Sequence, residues 1–136
     1  MDLDQSRNFV REHHHAVMLT YRRDGTPQLS PVACTVDGEG RVVVSTRETA
    51  MKVKNLQRDP RVVLCVLSDG FFGDWVQVEG RAEIVHLPEA LEPLVDYYRS
   101  VSGEHPDWDD YRAAMTRDRR VLVRVELDRA GPDRQG

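Results

Sequence analysis

The hydrophobic pattern divides the chain into strand-like and helix-like segments. Leu3 and Val10, one heptad apart with Phe9 beside them, predict a helix from Leu3 to His13. The apolar run from Ala16 to Tyr21 predicts a strand, and Asp24-Gly25 with Pro27 is turn chemistry. Gln28 to Asp37 predicts a second strand, Asp37-Gly38-Glu39-Gly40 a hairpin turn, and Arg41 to Thr46 a third strand rich in β-branched residues. Thr49 to Arg58 then predicts a short helix with Val53 and Leu56 on one face, Thr49 as candidate cap and Asp59-Pro60 as the stop. Arg61 to Ser68 and Trp75 to His86 predict two more strands, joined across Gly70-Phe71-Phe72-Gly73. Leu91, Leu94, Val95, Tyr98 and Val101 form a helical stripe behind Pro88, and Trp108 to Met115 predicts a further short helix. The last strand sets Val121, Val123, Val125 and Leu127 against Arg124, Glu126 and Asp128. Hairpin-linked strands with few helices fit an antiparallel barrel, because closing the sheet removes its edges.

The 136 residues fit one domain and bury enough surface to fold without disulfide or metal. With Lys+Arg 19 against Asp+Glu 23, the net charge of −4 argues against a nucleic-acid binder. The apolar runs are too short for a helical membrane span, and the N-terminus lacks the basic start and apolar stretch of a signal peptide. Cys34 and Cys65 stand in no close motif and read as reduced core thiols, which suits the cytoplasm.

Charge is concentrated. From Arg41 to Arg61 the six basic residues 41, 47, 52, 54, 58 and 61 face two acids, whereas eight acids and one Arg occupy Glu83 to Asp110. The basic stretch is centred on a strand running through Ser45 and Thr46 into a helix that carries Lys52, Lys54 and Asn55. Hydroxyls, a helix N-terminus and a Lys one turn in suit a phosphate, although helix capping alone would explain the hydroxyls. No Gly-rich Walker segment precedes the helix. His13-His14-His15 point in different directions and cannot all ligate one ion. Glu104, His105, Asp107, Asp109 and Asp110 lack the glycine and ligand spacing of a calcium loop, and Asp107 reads as a helix cap. No hydrolase elbow or activated nucleophile is present, so an enzyme of this kind needs a cofactor to supply the reactive atom. Phe71, Phe72 and Trp75 are flat rings suited to a planar cofactor.

Asp24-Gly25-Thr26-Pro27-Gln28-Leu29-Ser30, Lys52 to Arg61 and Val78-Glu79-Gly80-Arg81-Ala82, in that order and spacing, resemble the pyridoxamine 5′-phosphate oxidase-like split β-barrel superfamily. Ser102 to Arg112, with Asp118-Arg119-Arg120-Val121-Leu122, resembles its actinobacterial branch of enzymes dependent on the deazaflavin coenzyme F420. The resemblance runs from about Arg7 to Leu127.

It implies a mainly β fold with short helices (α+β), a six-stranded antiparallel split β-barrel of the FMN-binding type. The expected organisation is one domain over residues 1–128 and a tail over 129–136. The resemblance further implies a homodimer with its cofactor sites at the interface. Ser45, Thr46, Arg47, Met51, Lys52 and Asn55 would lie at the phosphate end, Gln28 and Ser30 on the second strand, and Phe72, Trp75 and Val76 near the ring. Some relatives carry an Arg where this chain has Ala50, and Arg47 is the candidate substitute. The expected activity is hydride transfer from reduced F420 to a small organic acceptor, with no catalytic acid or base assigned and no metal. An FMN-dependent oxidoreductase and a non-catalytic deazaflavin carrier are the alternatives. The apolar row of the last strand (Val121, Val123, Val125 and Leu127), together with the shared site, is taken to imply an obligate dimer.

Overall fold

The computed structural model describes residues 1–133. Its elements in chain order are α1 (Leu3–Glu12), β1 (His15–Tyr21), β2 (Pro27–Val36), β3 (Val42–Arg47), α2 (Met51–Arg58), β4 (Arg61–Leu67), β5 (Trp75–Val85), α3 (Leu91–Ser102), α4 (Trp108–Arg117) and β6 (Arg120–Gly131). The strands close into an antiparallel barrel in the order β1-β2-β3-β6-β5-β4. The expected mainly β barrel is therefore the observed fold. β6 continues to Gly131 because Arg129, Ala130 and Gly131 still pair with β5, so its end overlaps the start of the expected tail. Residues 134–136 of that tail lie outside the described residues.

Period-2 alternation sorts each strand into an inner and an outer row. Met18, Leu64, Val66, Val42, Val44, Val78, Val123 and Val125 fill the barrel interior. Val121, Val123, Val125 and Leu127 are at most 8% exposed within a single chain. That corrects one argument for a dimer: these side chains are consumed by the barrel's own core and offer nothing to a partner. Cys34 is buried in the interior as expected, but Cys65 is half-buried on the outer row of β4, opposite Val17 of β1.

α1 packs across β2, β5 and β6 at one end of the barrel, and α2 packs against β1 and β5 at the other. A capping box, in which Asp2 accepts from the Gln5 N–H and Gln5 reaches back to Asp2, starts α1. α2 starts at Met51 after Ala50, with no side-chain cap, so Thr49 does not cap it. Gly25 takes φ +85° in the β1–β2 turn, a conformation open to glycine at little cost. Gly80 sits at a bulge in β5, where a Cβ would run into the carbonyl oxygen of Glu126 on β6.

α3 lies over β2, β3 and β6, and α4 over β6, with Leu94, Val95 and Tyr111 packed together with Val43 and Leu122 of the outer row. α3 begins at Leu91, and Pro88 lies in the preceding turn, where its carbonyl accepts the Leu91 N–H. Asp107 caps α4 by accepting from the Asp110 N–H. Glu104 accepts from Arg99 Nε and Trp108 Nε1, while Tyr98, His105, Trp108 and Tyr111 stack on one another. The acidic segment and its aromatics thus fasten α3 to α4. No helix among the described residues is long and apolar enough to cross a membrane.

Candidate functional site

Two strand ends and one helix position the polar residues at the α2 end of the barrel. Thr20 on β1 and Gln28 on β2 face each other across the ladder, with both side chains on the inner row. Asn55, buried on α2, donates from Nδ2 to Thr20 Oγ1 at 3.1 Å and to Gln28 Oε1 at 2.7 Å. Its Oδ1 accepts from Arg58 at 3.3 Å, and Arg58 also donates to the carbonyl of Tyr21 at 2.5 Å. This network clamps α2 over the β1–β2 hairpin and shapes a cleft of about 700 Å³. Gln28, Met51 and Asn55 line the cleft together with Arg22, Arg23, Lys54 and Arg58. Its single acid is Asp24, which is held below the usual carboxylate range chiefly by hydrogen bonds from Thr26. Among the described residues no carboxylate forms an ion pair with Arg22, Arg23, Lys54 or Arg58. Four cations without an ion-paired carboxylate around the half-exposed Met51 make an anion-attracting cleft.

On the other flank of α2 lies the junction with β3. Strand alternation sends Ser45 and Thr46 to opposite sides. Thr46 is buried in the inner row, and Ser45 is half-buried on the outer row toward α3. The expected pair of hydroxyls therefore does not converge through side chains. Arg47 is exposed and stands directly opposite Arg120 of β6. The Lys52 ammonium is pushed below the usual lysine range by burial first and by the charge of Arg120 second. No carboxylate among the described residues pairs with Arg47 or Lys52. Arg61, by contrast, is occupied: Asp59 grips it at 2.7 Å and Tyr21 lies beneath its guanidinium at 4.5 Å. Arg61 in turn holds the Asp59 carboxyl down to about 2.

The remaining expected residues stand elsewhere. Ser30 shares the inner-facing row with Gln28 but does not line the cleft. Val76 is buried in the barrel interior, which leaves its main chain for any contact. Trp75 is half-buried and Phe72 is 97% exposed, paired edge-to-face with Phe71. Phe72 lies in the β4–β5 connection and Trp75 opens β5, both at the α1 end, about 20 Å along the barrel from α2 by the length of a seven-residue strand. One chain alone does not bring them to Lys52. The structure adds Arg22, Arg23 and Arg120, which the sequence reading did not assign. Arg22-Arg23 beside an Asp-Gly turn was the one local signal available. His13, His14 and His15 diverge, with His13 packed on Phe9 and His14 Nδ1 2.8 Å from the carbonyl of Cys34.

A closed six-stranded barrel with a cation-rich junction at one end is the architecture expected of the resemblance, and comparison with known proteins supports it. Residues 3–131 match the family profile described as pyridoxamine 5′-phosphate oxidase, and the chain belongs to that family. Among curated proteins it is similar to an F420H(2)-dependent biliverdin reductase of Mycobacterium tuberculosis, with 28% identity over 93% of this chain and 84% of the relative. Among solved structures it is similar to a conserved hypothetical protein from Mycobacterium tuberculosis. There the identity is 31%, the TM-score 0.77, and the match covers 96% of this chain and 82% of that one. A protein described as an F420 reductase shares the fold at 21% identity and TM-score 0.71, covering 92% of this chain and 94% of that one.

Proposed function

We propose that the chain is a cytoplasmic oxidoreductase that binds coenzyme F420 and passes hydride from its reduced form to a small conjugated organic acceptor. The similarity to an F420H(2)-dependent biliverdin reductase supports the coenzyme class. The observation that carries the reading is the surplus of unpaired cations on both flanks of α2. A phosphate monoester, as in FMN, is satisfied by one or two cations and a few N–H donors. Lys52 and its neighbours at the junction suffice for that. Arg22, Arg23, Lys54 and Arg58 exceed it, and they suit the carboxylate-bearing tail of the deazaflavin coenzyme.

The residues fit the coenzyme in a second respect. Lys52 is partly desolvated, and Arg120 Nε is buried without a partner. Both are costly unless an anion completes them. When bound, the deazaflavin supplies the hydride. The chain's own residues bind and orient: Lys52 holds negative charge at the junction, the cleft cations hold the tail, and the Asn55 network fixes α2 between them.

The reading includes a homodimer. The outer rows of β1, β2 and β4 leave an apolar surface in which Val17 pairs with Cys65 and Pro31, and Leu19 with Val63 and Leu29. Leu29 is 63% exposed. A partner docked on this surface would bring its own aromatic loop toward the cofactor, a placement that no single chain achieves. Sedimentation at twice the 15.6 kDa monomer mass is expected, and a monomer that binds coenzyme would remove this part of the reading.

Turnover decides between reductase and carrier. Reduced coenzyme mixed anaerobically with the protein and a panel of enones and open-chain tetrapyrroles should be oxidised by at least one acceptor, at a rate proportional to enzyme. Tight binding with no oxidation across the panel would point to a carrier.

A further inference from the structure

The turn from α4 into β6 delivers two arginines to the β3–α2 junction. Arg119 holds a left-handed backbone, with φ 51°, which is unfavourable for a residue bearing a Cβ. Its carbonyl accepts the Glu48 N–H at 2.9 Å, and its own N–H donates to the carbonyl of Thr116 at 3.2 Å. The strained turn is thereby pinned to the residue that follows β3. The next residue, Arg120, is set directly opposite Arg47 in the β3–β6 ladder. Like charges facing each other across antiparallel strands repel.

Arg120 Nε is buried and has no hydrogen-bond partner. No carboxylate among the described residues forms an ion pair with Arg47, Lys52 or Arg120. Glu48 and Arg120 line a common recess of about 210 Å³, but the Glu48 carboxylate faces His86 Nδ1 at 3.7 Å. The charge of Arg120 reaches Lys52 on one side and Tyr97 of α3 on the other. Arg120 thus stands opposite Arg47 in the ladder and within electrostatic reach of Lys52 without an ion-paired counter-charge, and its buried Nε–H has no acceptor.

We propose that Arg120 is a ligand of the cofactor's phosphate, the second cation of a seat whose first is Lys52. The proposal rests on the reading of a phosphate-bearing coenzyme given above. A phosphate would accept from the Arg120 guanidinium and offset part of the facing positive charge.

Of two ligand pairs, FMN against riboflavin isolates the phosphate, and the deazaflavin coenzyme against the same deazaflavin carrying only its ribityl chain removes the phosphate together with the tail. Equilibrium titrations by ring fluorescence should show Arg120→Met weakening each phosphorylated member by about tenfold or more, as for a lost charged hydrogen bond. The unphosphorylated members should change by less than about twofold, since they never used the charge. Thermal unfolding of the ligand-free protein gives an independent readout. Met keeps the packing of the arginine stem and removes both the repulsion and the orphaned donor, so the variant should melt at or above the wild-type temperature. A variant that melts well below wild type, or fails to fold, would show that Arg120 has a structural partner and would overturn the proposal. Wild-type affinity for phosphorylated ligands in Arg120→Met, combined with their loss in Lys52→Ala, would also overturn it while leaving the cofactor reading intact. Failure of the wild type to bind either phosphorylated ligand would end both.

Discussion

Replacing Asn55 tests whether the clamp over the β1–β2 hairpin is as tight as its geometry indicates. Asn55 and Thr20 are each 1% exposed, and the Nδ2 of Asn55 serves Thr20 and Gln28 together. Asn55→Ala removes both of these bonds and the 3.3 Å contact from Arg58. It leaves the Thr20 hydroxyl buried beside a small cavity. Net losses near 1 kcal/mol per bond, plus the cost of an orphaned buried hydroxyl, give about 2–4 kcal/mol. For a domain of this size that lowers the melting temperature by roughly 5–15 °C. The instructive assay is a double-mutant cycle with Thr20→Val, measured by urea unfolding. Valine has the shape of threonine and needs no partner, so Asn55→Ala should cost about 1–2 kcal/mol less in a chain that already carries Thr20→Val. Strict additivity, within about 0.5 kcal/mol, would refute the claim that the two side chains depend on each other.

Alkaline pH should loosen the fold. Burial pushes the Cys34 thiol up from 9.0 to about 12, and burial with the neighbouring Tyr97 pushes the Tyr111 phenol up from 10.0 to about 12. Both groups are held neutral in the folded chain. The stability they share is whole below pH 9 and is lost as the pH rises toward 12, so a urea midpoint that stays flat to pH 11 would contradict the burial of these groups. Gly80→Ala forces a methyl group into the Glu126 carbonyl and should cost about 2–3 kcal/mol or block folding, read as a lower melting temperature or loss of soluble protein. EDTA should leave the melting temperature unchanged, because Glu104 and Asp107 are engaged by Arg99, Trp108 and the α4 N-terminus. A fall that calcium reverses would show that these carboxylates hold an ion.

The alternation of β6 made its inner face legible, since Val121, Val123, Val125 and Leu127 do point one way. What they point at was not legible. Whether an apolar row meets its own barrel or a partner depends on closure, which is set by pairings between strands far apart in sequence. The same limit hid Arg120, because no local pattern says that it will stand opposite Arg47. Helix positions followed from periodicity, but the start of α2 did not. Thr49 has the chemistry of a cap, yet the backbone turns one residue later, with Ala50 at the cap position. Ser45 and Thr46 illustrate a rule available from the start: neighbours on a strand face opposite sides, so only one hydroxyl side chain can serve each face. Met51, Lys52 and Asn55 fall on the helix that the basic stretch predicts, and Gln28 reaches it by accepting from Asn55 at 2.7 Å.

Equilibrium binding of the oxidised deazaflavin coenzyme and of FMN, each at low and high ionic strength, tests the central claim most directly. Charges in an open cleft are screened over about 10 Å at 0.1 M salt, so a contact made by the cleft cations must weaken as salt rises. The coenzyme should bind more tightly than FMN at low salt, and the gap should narrow as salt is added. FMN binding as tightly as the coenzyme at low salt would contradict the account and make this chain an FMN protein.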